Sequence, residues 1–138
     1  MTPTRAGRWQ TRLFLLGTVG ALATALFGLL FGDWRTPFAL LGYVLLAGFA
    51  WDALYDVLQG FRWDHDWPPA YQLAAGVAEG GAIWLLHALV GLPGVADGLA
   101  PGRFLAHYGA VWLLTFLCSQ GPMRLLFPRW RFNGGELF

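Results

Sequence analysis

The chain has 138 residues, of which 57% are hydrophobic and only 12% charged, with a net charge of +1. A soluble domain carries about 25% charged residues, and a chain this short has little interior in which to hide the apolar excess. The composition therefore excludes an ordinary soluble domain, and the weak net charge excludes a nucleic-acid binder held by a basic field. All nine basic residues are arginine, which fits a GC-rich, bacterial coding sequence. Cys118 is the only cysteine, so no disulfide can form within the chain and no paired-cysteine metal motif exists.

The first apolar segment is Leu13 to Phe31, uncharged and preceded by Arg5, Arg8 and Arg12. It is long enough to cross about 30 Å of hydrocarbon. Ala21-Leu22-Ala23 and Ala23-Thr24-Ala25 resemble signal-peptide cleavage sites, but the apolar run continues beyond them, which favours a retained helix. Gly17, Ala21, Thr24 and Gly28 share one face, a small-residue stripe of the kind that admits a neighbouring helix.

Gly32 to Thr36 reads as a turn, and Pro37 opens a second helix that runs to Leu58. This helix contains Asp52 and Asp56, four residues apart on one face, with Gln59 extending that face. Phe61 to Pro69 is a loop whose Trp63-Asp64-His65-Asp66-Trp67 core reads as a capped turn anchored by interfacial aromatics. A third helix spans residues 70–92. It is rich in Gly and Ala and carries Glu79 and His87. After a Gly/Pro turn, a fourth helix covers residues 103–120 with His107, and Gly121-Pro122 ends it. The tail, 121–138, mixes Arg124, Arg129 and Arg131 with Trp130, a pattern suited to an anionic membrane surface.

These segments predict an all-α membrane protein, a bundle of four transmembrane helices forming one domain over residues 1–138. With four spans, seven arginines (5, 8, 12, 62, 124, 129 and 131) fall on the side of the termini and two (35 and 103) on the other. The positive-inside rule then puts both termini in the cytoplasm, with the chain multi-pass in the inner membrane.

Ionisable residues within spans are costly and single themselves out. Asp52, Asp56 and Glu79 are the candidates for an ion or proton pathway. Three carboxylates in low dielectric need shared protons or a positive partner, and Arg62 is one candidate for that partner. His87 and His107 lie at similar depth on sequential helices and are the candidate ligands for a metal or haem. The sequence names no cofactor. It contains no phosphate loop, nucleophile elbow or dinucleotide fingerprint, so an enzyme is not the expectation. The leading expectation is an accessory or scaffold subunit that works by association, with the lipid bilayer, further copies of itself or other membrane subunits as partners. A small ion- or proton-conducting protein is the second, and a metal- or haem-binding redox protein the third.

Overall fold

A computed structural model describes all 138 residues as helices joined by short turns, with no strand. The first helix, α1, runs Arg5–Phe31 and is interrupted by one π-helical turn at Leu16–Gly20. α2 is Arg35–Gly60, α3 is Pro69–Val90 and α4 is Pro101–Gln120. Two single-turn helices follow, α5 at Pro122–Leu126 and α6 at Pro128–Phe132.

Three helices, α1, α2 and α3, are long and apolar enough to cross a membrane, at 27, 26 and 22 residues. They mark the chain as a membrane protein. Their outward faces are rows of exposed leucines, among them Leu22, Leu26 and Leu30 on α1 and Leu85 and Leu89 on α3, the surface that lipid rather than water accepts. α4 is shorter, and Arg103, His107, Ser119 and Gln120 dilute its apolar character.

The elements match the expected segments within two residues, except at the start of α1. The sequence places that start at Leu13, after the arginines. The helix instead begins at Arg5, capped by Thr4, whose hydroxyl accepts from the Gly7 amide at 3.0 Å. All three arginines therefore lie inside the helix. At α2, Asp33 accepts from the Arg35 and Thr36 amides at 3.0 and 3.2 Å. The Thr36 side chain, together with these amide bonds, holds the Asp33 carboxyl below the usual range.

The long helices form a ring in which α1 packs on α2 and α4, and α3 packs on the same two. α1 and α3 thus face each other across a diagonal. One end of the body, here the proximal end, holds the start of α1, the 61–69 loop and the tail. The distal end holds the 32–34 turn and the 91–100 turn. The distal half holds the main apolar core, built on Leu40, Val44, Ile83, Phe104 and Val111.

Small residues set the spacing of α3 and α4. The Trp112 indole lies over Gly76, and the Tyr108 ring over Gly80. A methyl group added at Gly76 would fall 1.7 Å from Trp112 Nε1, and one at Gly80 2.4 Å from Tyr108 Cε1. The Gly/Ala content of α3 is thus partly used up inside the chain. The same holds at Gly28 on α1, where an added methyl would meet the Trp34 ring at 2.8 Å. Gly17, by contrast, faces open space.

The tail does not lie out along a surface. It folds back onto the first turns of α1. The Thr4 amide donates to Gly134 O at 2.8 Å, the Thr11 hydroxyl to Gly135 O at 2.9 Å, and the Leu137 amide to Gln10 Oε1 at 2.8 Å. Gly134 and Gly135 make the turn at φ 60° and 85°, where a side chain would be strained.

Gly76→Ala should overpack the α3–α4 contact and cost about 1–3 kcal/mol. Gly81→Ala, with nothing within 4 Å of the new methyl, should be neutral. Denaturant unfolding of the two variants in detergent checks the difference.

Candidate functional site

The buried centre of the proximal half is an ion cluster. Arg12 enters from α1, Asp52 from α2 and Glu79 from α3. Arg12 Nε donates to Asp52 Oδ2 and Nη2 to Asp52 Oδ1, both at 2.8 Å. Its Nη1 donates to Glu79 Oε2 at 2.9 Å and Nη2 to Glu79 Oε1 at 3.1 Å. The planar guanidinium thus grips two carboxylates two-handed, a geometry lysine could not reproduce. Both acids are buried, and the Arg12–Glu79 arm spans the diagonal between α1 and α3. Gly48 makes room for the guanidinium, since a methyl group there would lie 2.3 Å from Arg12 Nη1.

One guanidinium does not neutralise two carboxylates. Arg8, one turn towards the proximal end, supplies the second positive charge. It donates from Nη2 to Gln59 Oε1 at 2.5 Å and stacks over the Trp67 ring at 4.6 Å. Gln59 in turn donates from Nε2 to His65 O at 2.7 Å and to Pro3 O at 3.3 Å, tying the loop to α1. At the rim, Arg5 holds Asp56 through Nε and Nη2 at 3.2 and 3.1 Å. Arg5, Arg8 and Arg12, spaced by three and four, therefore answer Asp52, Asp56 and Gln59, spaced by four and three.

The sequence groups Asp52, Asp56 and Glu79 as three converging acids; the structure brings Asp52 and Glu79 together on Arg12 and separates Asp56 from them on Arg5. The positive partner is Arg12, not Arg62. Arg62 lies in the loop and pairs with Asp64 at 2.7 Å, which holds the Asp64 carboxyl below its usual range. Sequence reasoning treated Arg8 and Arg12 as membrane flanks. The signal that could have found them is the matched spacing of opposite charges on two helices joined by a short turn.

The two histidines do not form a pair. His107 Nε2 shares a hydrogen bond with the Thr24 hydroxyl of α1 at 2.9 Å, and its ring meets Phe27 edge-on. His87 Nδ1 accepts from the Leu92 amide at 3.4 Å and closes the end of its own helix. No three His, Cys, Asp or Glu side chains gather as a metal would require.

Arg124, Arg129 and Arg131 are exposed at the proximal end, but Trp130 is not a surface residue. It is 4% exposed, packs with Leu15 and Met123, and donates from Nε1 to the Thr11 hydroxyl at 2.7 Å. The aromatic residue of the tail pattern is the anchor that folds the tail back.

The ion cluster lines a chamber of about 200 Å³ bounded by all four long helices. Trp67, Gln72, Gln120 and Arg124 frame its proximal mouth, and Leu16, Val44 and Val111 form its blind apolar end. Arg12, Asp52, Glu79 and Tyr55 line its middle. Gln72 and Gln120 bond to each other across the mouth at 3.1 Å, and Gln72 bonds to Ser119 at 3.2 Å. The Tyr55 hydroxyl and Arg8 Nε, both on lining residues, have no hydrogen-bond partner within the protein. Buried polar atoms without partners are rare and call for an explanation.

Scanned against family models, curated proteins and solved structures, the chain matches none.

Arg12→Met should leave two buried carboxylates unpaired and cost about 3–5 kcal/mol, whereas Arg12→Met with Asp52→Leu and Glu79→Met should recover most of that loss. Gly48→Ala should behave like a mild Arg12 variant by displacing the guanidinium. Denaturant unfolding of the set gives the ranking.

Proposed function

We propose that the chain is a four-span protein of the inner membrane, with both termini in the cytoplasm, and that it binds a small polar molecule in the chamber enclosed by its helices. The chamber carries this reading: it is ringed by all four long helices, polar at mid-depth and apolar at its end. Ligand sites combine apolar walls with a few fixed polar groups in the same way.

Three observations support four spans and the orientation. α4 presents Leu105, Leu113, Leu114 and Leu117 outward like the other helices. The tail bonds to the first turns of α1, as an even number of crossings requires. With Arg8 and Arg12 set aside as internal, five arginines remain at the proximal end against two at the distal end.

The competing readings lose part of their motive. An accessory role drew on small-residue stripes and on aromatic-rich loops and tail; of the stripes, Gly76, Gly80 and Gly28 are filled by Trp112, Tyr108 and Trp34 of the same chain, while Gly17 and Gly81 face open space. A pathway of free carboxylates rested on Asp52, Asp56 and Glu79, each of which an arginine holds. A metal or haem site rested on His87 and His107, which bond to different parts of the chain.

Native mass spectrometry of the chain ejected from nanodiscs tests the binding. The wild type should carry an added small mass that is absent from Thr115→Trp and Ala75→Leu, both of which fill the chamber. A bare chain mass in wild type and variants alike contradicts the reading.

A further inference from the structure

A second cavity, of about 310 Å³, enters from the distal end. Asp33, Ala96, Gly98 and Arg103 lie at its rim, and Pro37, Leu40 and His107 are buried in its wall. The two cavities approach each other inside the body. On α2, Leu40 lines the distal cavity and Val44 the proximal chamber. On α4, His107 lines the distal cavity and Val111 the chamber. Four residues of helix separate each pair, which is about 6 Å along the axis. Leu40, Val44, Val111 and Ala23 belong to one apolar cluster and form the partition.

The π-helical turn of α1 begins at Leu16, which lines the chamber, and ends at Gly20 beside Val111. Single π-turns are uncommon and gather at functional sites.

We propose that the two cavities are the ends of one path across the protein, closed here by a partition about one helical turn thick, and that the path serves small uncharged polar solutes. This goes beyond binding in the chamber. The class of solute follows from the charges beside the path. Arg8 and Arg12 balance Asp52 and Glu79, and the third lining arginine, Arg124, stands out at the mouth, so no net counter-charge lies beside the apolar constriction for an ion about to enter it. An ion would cross the partition without a partner at high cost. An uncharged solute sheds far less hydration, and apolar constrictions gate by excluding or admitting water.

Proteoliposomes under a glycerol or urea gradient, followed by stopped-flow light scattering, test the path. The wild type should shrink or swell faster than protein-free vesicles. Val111→Ala, which thins the partition, should raise the rate severalfold, and Val111→Trp should return it to that of protein-free vesicles. Circular dichroism and gel filtration establish that each variant is folded before it is read. In a Cys118→Ala background, Ala75→Cys reports the chamber separately through reaction with a small membrane-impermeant thiol reagent added from the cytoplasmic face. If Ala75→Cys reacts while neither wild type nor Val111→Ala exceeds protein-free vesicles, the chamber stands and the path is overturned. If potassium or protons cross as readily as glycerol, the assigned solute class is overturned.

Discussion

A single guanidinium organises the proximal half of this protein. Arg12 grips Asp52 and Glu79 with four hydrogen bonds between 2.8 and 3.1 Å, joining three helices, two of which face each other across the ring. A buried carboxylate without a partner is costly. The arginine pairs both acids and fixes their rotamers and the separation of α1 from α3. Other features accommodate it. Gly48 leaves space for its head, Arg8 balances the second carboxylate, and the tail covers the turns of α1 that present both arginines. Buried ion pairs add little net stability compared with an apolar core. Their effect here is to gather the proximal parts of the helices around polar groups, while the distal parts meet through leucine, valine and phenylalanine.

Where aliphatic side chains meet, at Leu40, Val44 and Val111, they form a layer between the two cavities. Where arginine, carboxylate and tyrosine meet, planar polar groups leave space that branched aliphatic groups would fill. On α3, Gly76 and Gly80 make room for Trp112 and Tyr108, both of which line the chamber. The same residue choices thus fix helix spacing, cavity shape and cavity chemistry.

Much of the fold was legible in the sequence because span length and Gly/Pro punctuation act locally. The positions of α2, α3 and α4 follow from those signals within two residues. The convergence of Asp52 and Glu79 also followed, from depth and a short connecting loop. What was missed depends on partners distant in sequence. The start of α1 was set too late because arginines before an apolar run ordinarily mark a membrane edge, and only their pairing with α2 and α3 draws them inward. Trp130 was read as interfacial because nothing local reveals that Thr11, more than a hundred residues earlier, accepts its N–H. His87 and His107 share a depth but not a direction, and depth is all that spacing gives. The distal cavity left no mark on the sequence, since it is shaped by the 91–100 turn lying over Leu40 and His107.

The most direct measurement is a nitrogen-to-carbon dipolar recoupling experiment by solid-state NMR on the chain in lipid bilayers, with arginine side chains labelled with nitrogen-15 and carboxylates with carbon-13. The Arg12 guanidinium nitrogens should couple strongly to both the Asp52 and Glu79 carboxyl carbons, as nitrogen–oxygen separations of 2.8–3.1 Å require, and the Glu79 coupling should vanish in Glu79→Gln labelled only at acids. A wild-type spectrum in which Arg12 couples to Asp52 alone, or to neither acid, would contradict the central cluster and with it the arrangement of helices around the chamber.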